Sequence, residues 1–261
     1  MINYNVFKDG KKNILTMSYD DSNESDKRLA ALFDKYGIRG TFNVHNGGEG
    51  RVQADEYPKV YKNHEVAVHT VAHPYLEMLP AASQIAQIME NRRFIEKATG
   101  YVVRGMAYPF GTYNDEVINS AKACGIVYSR TVENTFSFKL PQDFMKWHPT
   151  CHHRDAEKYA ERFLEQMEWG WQTNLFYIWG HSFELRTEQD WEKMEKLCAM
   201  LSHNDKVWYA TNIEIYDYIR AQRSLQISAD ESIIHNPSAI EVCFQKDGKT
   251  YSIKGGETLF M

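Results

Sequence analysis

The sequence predicts an α/β fold: a barrel related to the TIM fold with a small C-terminal β appendage. A doubly wound open sheet is the alternative. Three observations lead there. Strand-like and helix-like stretches alternate from Asn13 to Gln222, as the βαβ units of a parallel sheet do. About seven such units fit this span, close to the repeat of a barrel. After about Arg223 the alternation stops and short β-like runs replace it.

The elements follow in order. Asn13–Tyr19 reads as the first strand. Asp26–Tyr36 reads as a helix with Leu29, Ala30, Leu32 and Phe33 on one side and Gly37 as its stop. Gly40–His45 is a strand, Asp55–Asn63 a helix and Glu65–His69 a strand. Ser83–Thr99 is a long helix with Ser83 as N-cap and Gly100 beyond its end. Val102–Tyr108 is a strand, Asn114–Ala123 a helix and Ile126–Arg130 a strand. Thr131–Cys151 is irregular and holds Pro141 and Pro149. Asp155–Glu168, Thr187–His203 and Asn212–Gln222 are helices, the last capped by Asn212, while Leu175–His181 and Lys206–Ala210 are strands. Residues 1–222 form the barrel on this reading. Residues 223–261 form the appendage, with runs at Leu225–Ile227, Ala239–Phe244 and Thr250–Ile253 and a hairpin signal at Asp247-Gly248.

Composition narrows the function. The chain has 261 residues, 43% hydrophobic and 25% charged, with a net charge of −5. That charge gives no field to attract nucleic acid or an anionic membrane. No run approaches the roughly 20 apolar residues of a membrane span. Cys124, Cys151, Cys198 and Cys243 are scattered and read as reduced thiols. No basic segment followed by an apolar stretch opens the chain, so the expected location is cytoplasmic. No phosphate loop and no G-x-S-x-G is present, which leaves nucleotide hydrolysis and serine-esterase chemistry without support.

Two motifs carry chemistry. Ser18-Tyr19-Asp20-Asp21-Ser22 ends the first strand, and His69-Thr70-Val71-Ala72-His73 ends the third. In α/β folds ligands bind at the C-terminal ends of strands. One aspartate and two histidines make a three-ligand set with positions open for water and substrate, the pattern of a catalytic metal site. The second aspartate is then free to act as a base. Pro109 and His181 fall at strand ends as well.

Over roughly residues 13–220 the chain resembles the polysaccharide deacetylases of carbohydrate esterase family 4, the NodB-homology domain. The resemblance lies in Asp20-Asp21, in His69–His73, in Tyr108-Pro109-Phe110-Gly111 and in Ile178-Trp179-Gly180-His181. It implies a distorted (β/α)7 barrel and metal-dependent removal of acetyl groups from N-acetylated, and sometimes O-acetylated, sugars. Asp20 matches the catalytic base, and Asp21, His69 and His73 match the metal ligands. The donor set fits zinc, cobalt, nickel, iron or manganese, and zinc is the expectation. The N–H of Phe110 would bind the oxyanion, and the ring of Phe110 or Tyr108 would wall the groove. His181 matches the general acid, a task that suits an imidazole pKa near ~6.5. Its partner carboxylate is Asp143, Glu184 or Glu214. Ile178 would line the acetyl pocket beside Trp179.

One departure is visible. The family's base-orienting arginine precedes the proline by two residues, where this chain has Ala107. Arg104, in the same run, is the expected substitute. The segment Trp147-His148-Pro149-Thr150-Cys151-His152-His153 is read as a loop packing Trp147 over the barrel mouth. The expected function is a metal-dependent deacetylase of an acetylated sugar or oligosaccharide. Hydrolysis of another amide or ester, or a binding module without turnover, are the alternatives.

Overall fold

A computed structural model describes residues 1–261. Its elements in chain order are β1 (Ile2–Asn3), β2 (Asn13–Asp20), α1 (Asp26–Lys35), β3 (Gly40–Val44), α2 (Tyr57–Val60), β4 (Glu65–Val68) and α3 (Ala81–Thr99). Then come β5 (Gly105–Ala107), α4 (Asp115–Ala123), β6 (Tyr128–Arg130), β7 (Cys151–His152), α5 (Ala156–Trp169), β8 (Asn174–His181) and α6 (Glu188–Leu201). Next are β9 (Val207–Tyr209), α7 (Asn212–Arg223), β10 (Gln226–Ile227), β11 (Ile233–His235), β12 (Val242–Lys246), β13 (Lys249–Ile253) and β14 (Thr258–Phe260).

The main sheet runs β6-β5-β4-β3-β2-β8-β7, with β9 added to β2, and every pairing in it is parallel. It curls into a distorted (β/α)7 barrel. Between the edge strands, Trp147 pairs in parallel with Arg130, exchanging bonds with Ser129 and Thr131. The chain through Trp147 therefore helps close the wall. It is not a lid.

Side chains alternate along β2 as a strand demands. Leu15, Met17 and Tyr19 pack outward with Phe33 and Met194 under the helices. On the opposite face, Thr16 bonds Asn212, and Ser18 and Asp20 bond Asn43. The same alternation in β8 sends Phe176 and Ile178 into the outer layer and Leu175 and Tyr177 into the second core.

The inner core is partly polar. Glu65 accepts from Tyr128 at 2.7 Å, Thr41 at 2.9 Å and the backbone N–H of Ile213 at 2.9 Å. That carboxylate answers a free N–H in the first turn of α7, whose N-cap is Thr211. Burial pushes the Glu65 carboxyl up to about 7 against these three bonds.

Several boundaries differ from the sequence reading. The long helix starts at Ala81 with Pro80 at its N-cap, so Ser83 lies inside it. The last helix is capped by Thr211, whose hydroxyl accepts from the N–H of Glu214. The strand expected over Val102–Tyr108 shrinks to Gly105–Ala107, and the helix expected over Asp55–Asn63 becomes two short turns. Strand β7 starts at Cys151, the last residue of the stretch read as irregular. The chain after α7 forms two three-stranded sheets, β1-β12-β13 and β10-β11-β14, the first of which takes in the N-terminus. Gln222 ties α7 to Val6 and Cys243 by two bonds. All four cysteines are free and buried, and no helix is long and apolar enough to cross a membrane.

Candidate active site

Consecutive residues in a strand point to opposite faces, so Asp20 and Asp21 would diverge if β2 continued. Asp21 has φ +78° and Ser22 φ +50°, and this left-handed turn brings both carboxylates to one side. The N–H of Asp21 holds the turn by donating to Asn43. The histidine motif is bent in the same way, with Thr70 at φ +67° and His73 at φ +52°. The hydroxyl of Thr70 accepts from the N–H of His73 at 3.0 Å. Strained non-glycine backbone at strand ends marks a site whose geometry is over-determined by its surroundings.

Asp21, His69 and His73 offer ligand atoms within 4.8 Å of one another. Nδ1 of His69 lies 2.9 Å from the carbonyl oxygen of Ala107 and must donate to it. This fixes the tautomer that leaves the Nε2 lone pair free, 3.6 Å from Asp21 Oδ1. An imidazole anchored by a backbone carbonyl is the usual arrangement of a metal-binding histidine. The donor set therefore fits a divalent ion.

Asp20 is 2% exposed. Arg130 Nη2 makes a short ion pair with its Oδ2, and Asn43 Nδ2 donates to Oδ1 at 2.9 Å. Burial alone would raise this carboxyl, but Arg130, His69 and His181 outweigh it and hold it down to about 2. Arg130 is fully buried and its guanidinium lies 4.8 Å from the ring centre of Trp179. His181 Nε2 is 3.9 Å from Asp20 Oδ2 and 3.9 Å from Asp21 Oδ2. Its Nδ1 is 3.5 Å from Glu184 Oε1. Burial pulls the His181 imidazole down. Glu184, Asp20 and Asp21 reverse that, so the net displacement is upward.

Arg104 is not in this constellation. It forms a two-pronged pair with Asp217 at 2.9 and 2.6 Å. The missing arginine has moved one strand across: Ala107 and Arg130 are register partners in β5 and β6. An arginine that ended a predicted strand was the available signal.

Three substrate-side expectations are corrected as well. Tyr108 is buried, with its hydroxyl donating to the Met145 carbonyl at 2.9 Å, so it walls no groove. Trp147 is fully buried against Tyr128, Phe144 and Tyr177, held there by its pairing in the barrel wall. Ile178 lies in the outer layer by strand alternation, while Trp179 and His181 share the inner face. Pro109 is buried under the turn, and Phe110, at φ +57°, is 44% exposed. The Phe110 ring lies edge-on to His73 at 4.3 Å and stacks on Tyr75 at 3.9 Å. That stack forms a wall beside the metal-ligand cluster.

Glu184 is the carboxylate beside His181. Asp143 caps a turn at Met145, and Glu214 caps α7. Glu184 also meets His152 Nε2 at 2.9 Å, His153 Nε2 at 3.2 Å and Arg154 at 2.7 Å. His152, His153 and Glu184 have metal-like spacing. However, His152 Nδ1 accepts from the N–H of Arg154 at 3.3 Å. A neutral imidazole that accepts at Nδ1 carries its proton on Nε2, so the His152 nitrogen facing Glu184 offers no lone pair there. This cluster anchors Glu184. It depends on Gly180, where a Cβ would sit 2.2 Å from His153 Nδ1.

Fold and site together define a distorted barrel with an Asp-Asp turn, two histidines and a distal histidine at its mouth. Residues 7–129 match the family model described as polysaccharide deacetylase. Arg130, His181 and Glu184 lie beyond the matched residues. No curated protein matches the chain. Among solved structures, a Mycobacterium smegmatis protein classed with the polysaccharide deacetylases is 16% identical at a TM-score of 0.61, covering 85% of this chain and 96% of that one. A carbohydrate esterase family 4 pseudoenzyme from Bacillus anthracis is 20% identical at a TM-score of 0.50, covering 78% of this chain and 65% of that one. The chain spans 55% of a Streptococcus pyogenes deacetylase, with 45% of its own length matched, 22% identity and a TM-score of 0.43. The first two of these likenesses show the fold.

Proposed function

We propose that this protein is a metal-dependent carbohydrate deacetylase that hydrolyses the acetyl group of an N-acetylated sugar or oligosaccharide. The observation that carries this reading is convergence. His181 Nε2 is equidistant, at 3.9 Å, from the arginine-paired Asp20 and from Asp21 of the ligand cluster. A base, a metal site and an acid thus share one space. The fold is also that of a pseudoenzyme, so turnover rests on these residues and not on the barrel.

Asp21, His69 and His73 would hold the ion, with zinc as the expected occupant. When bound, it supplies Lewis acidity and brings the pKa of a water toward ~7. Asp20 takes the proton of the attacking water. Arg130 and Asn43 keep its carboxylate ionised and in one orientation. The N–H of Phe110 stabilises the developing oxyanion. His181 delivers a proton to the amine nitrogen as the C–N bond breaks, and Glu184 keeps its ring turned toward the site. The products are acetate and a free amino sugar. Phe110, Tyr75 and Trp179 are the surfaces that meet the sugar.

The test is acetate release from a panel of N-acetylated sugars and their oligomers, with and without chelator. Release that stops on chelation and returns with added ion supports the reading. Metal-loaded protein that frees no acetate from any member overturns it.

A further inference from the structure

His45 belongs to none of the four motifs, yet it packs against three metal-site residues. It directly follows β3 and is 6% exposed. Its ring stacks on His73 with centroids 5.6 Å apart and meets His69 edge-on at 5.8 Å. Nε2 lies 2.9 Å from Asp21 Oδ1. On the other side of the ring, Arg51 Nη1 makes a short contact with Nδ1.

The chemistry of that second contact decides the first. A guanidinium has donors only, so Nδ1 of His45 must accept. A neutral imidazole with an accepting Nδ1 carries its proton on Nε2. That proton points at Asp21. His45 is therefore a hydrogen-bond donor to the carboxylate and has no lone pair to offer an ion.

The backbone makes the arrangement a unit. Glu24 N–H donates to Gly50 at 3.0 Å and Val52 N–H donates to Ser22 at 2.8 Å, while Asn23 and Arg51 form an antiparallel bridge. The loop carrying Arg51 is thus sewn to the turn carrying Asp21. Gly47, Gly48 and Gly50, all at positive φ, let the loop fold back this way.

We infer that His45 is a positioning residue for the metal-ligating carboxylate: Arg51 fixes its tautomer, and its Nε2–H holds Asp21 turned toward His69. Asp21 sits in a strained left-handed conformation with its side chain partly exposed. The bond from His45 is the only hydrogen bond that Asp21 Oδ1 accepts from a side chain. This inference rests on the metal reading of Asp21, His69 and His73.

The experiment measures zinc and cobalt affinity of the purified full chain by calorimetry. Variants are His45→Leu, His45→Gln and Arg51→Met, with circular dichroism of each ion-free protein to establish folding. Loss of a bond to a metal ligand typically weakens affinity about 10–100-fold. His45→Leu is expected to show that loss. His45→Gln, which keeps an N–H near the same place, is expected to recover most of it, which a purely space-filling role would not do. Arg51→Met leaves His45 in place but frees its tautomer, and is expected to bind several-fold more weakly. Arg51 lies on a loop, so this variant keeps the test open if His45→Leu fails to fold. Unchanged affinity in His45→Leu or, should that variant not fold, in Arg51→Met overturns the inference. Wild-type protein that binds neither ion instead sinks the metal reading beneath it.

Discussion

At the scale of single residues, the position of the arginine is the most telling feature. Asp20 is buried, and a buried carboxylate needs a partner to stay ionised. Arg130 provides it from β6, opposite Ala107 in register. Arg130→Met is expected to cut acetate release by about 10²-fold or more, since misplacing a reacting group by ~1 Å has that effect. Arg104→Met is expected to leave it unchanged. Its pair with Asp217 is about one-third exposed on both sides, so its loss costs under about 1 kcal/mol of stability. Reversed results would return the role to Arg104. Parallel assays of both variants, with melting curves, decide it. The four motifs were legible because each puts its residue types in a short run. The pairing of Asp20 with Arg130 was not, because it joins residues 110 positions apart and depends on which strands are neighbours.

Secondary structure shows the same division. The long amphipathic stretches announced their helices. Short strands did not announce their limits: β5 and β6 are three residues each and β7 is two. Pairing with neighbours, not propensity, makes these segments strands. The expected orientation of Ile178 failed on a period-two argument, since its neighbours Tyr177 and Trp179 take the inner face. Gly180, on the same strand as Ile178, gives a direct test. A methyl group there would strike the His153 ring, which anchors Glu184. Gly180→Ala is expected to destabilise the fold by about 1–3 kcal/mol, as overpacking does, and to slow turnover through Glu184. Urea denaturation measures the first effect. A loss below about 0.5 kcal/mol would mean that the ring moves aside freely.

For the molecule as a whole, the barrel was legible from alternation of elements, and the appendage from its change of rhythm. That the N-terminus joins the appendage sheet was not, because two residues of strand carry no pattern. Burial of Glu65 in the inner core has a consequence for overall stability. Its folded pKa, about 7, stands above the usual carboxylate value of 4.5. The folded state therefore binds the more protons between these values. Its stabilising contribution is complete below about pH 4.5 and is lost as pH rises toward 7. Glu65→Gln removes this dependence. Relative to the variant, the wild type is expected to lose stability between pH 5 and pH 8, by urea denaturation at each. Parallel pH profiles would show that Glu65 is ionised in both states.

The central claim is that two adjacent aspartates divide the work, Asp21 holding the ion and Asp20 moving the proton. Bound metal and acetate release, measured side by side in Asp20→Asn and His69→Ala, test it most directly. Asp20→Asn is predicted to keep the ion and lose roughly 10²–10⁴-fold in turnover, while His69→Ala loses both. An Asp20→Asn protein that loses the ion, or one that keeps full activity, would contradict the account.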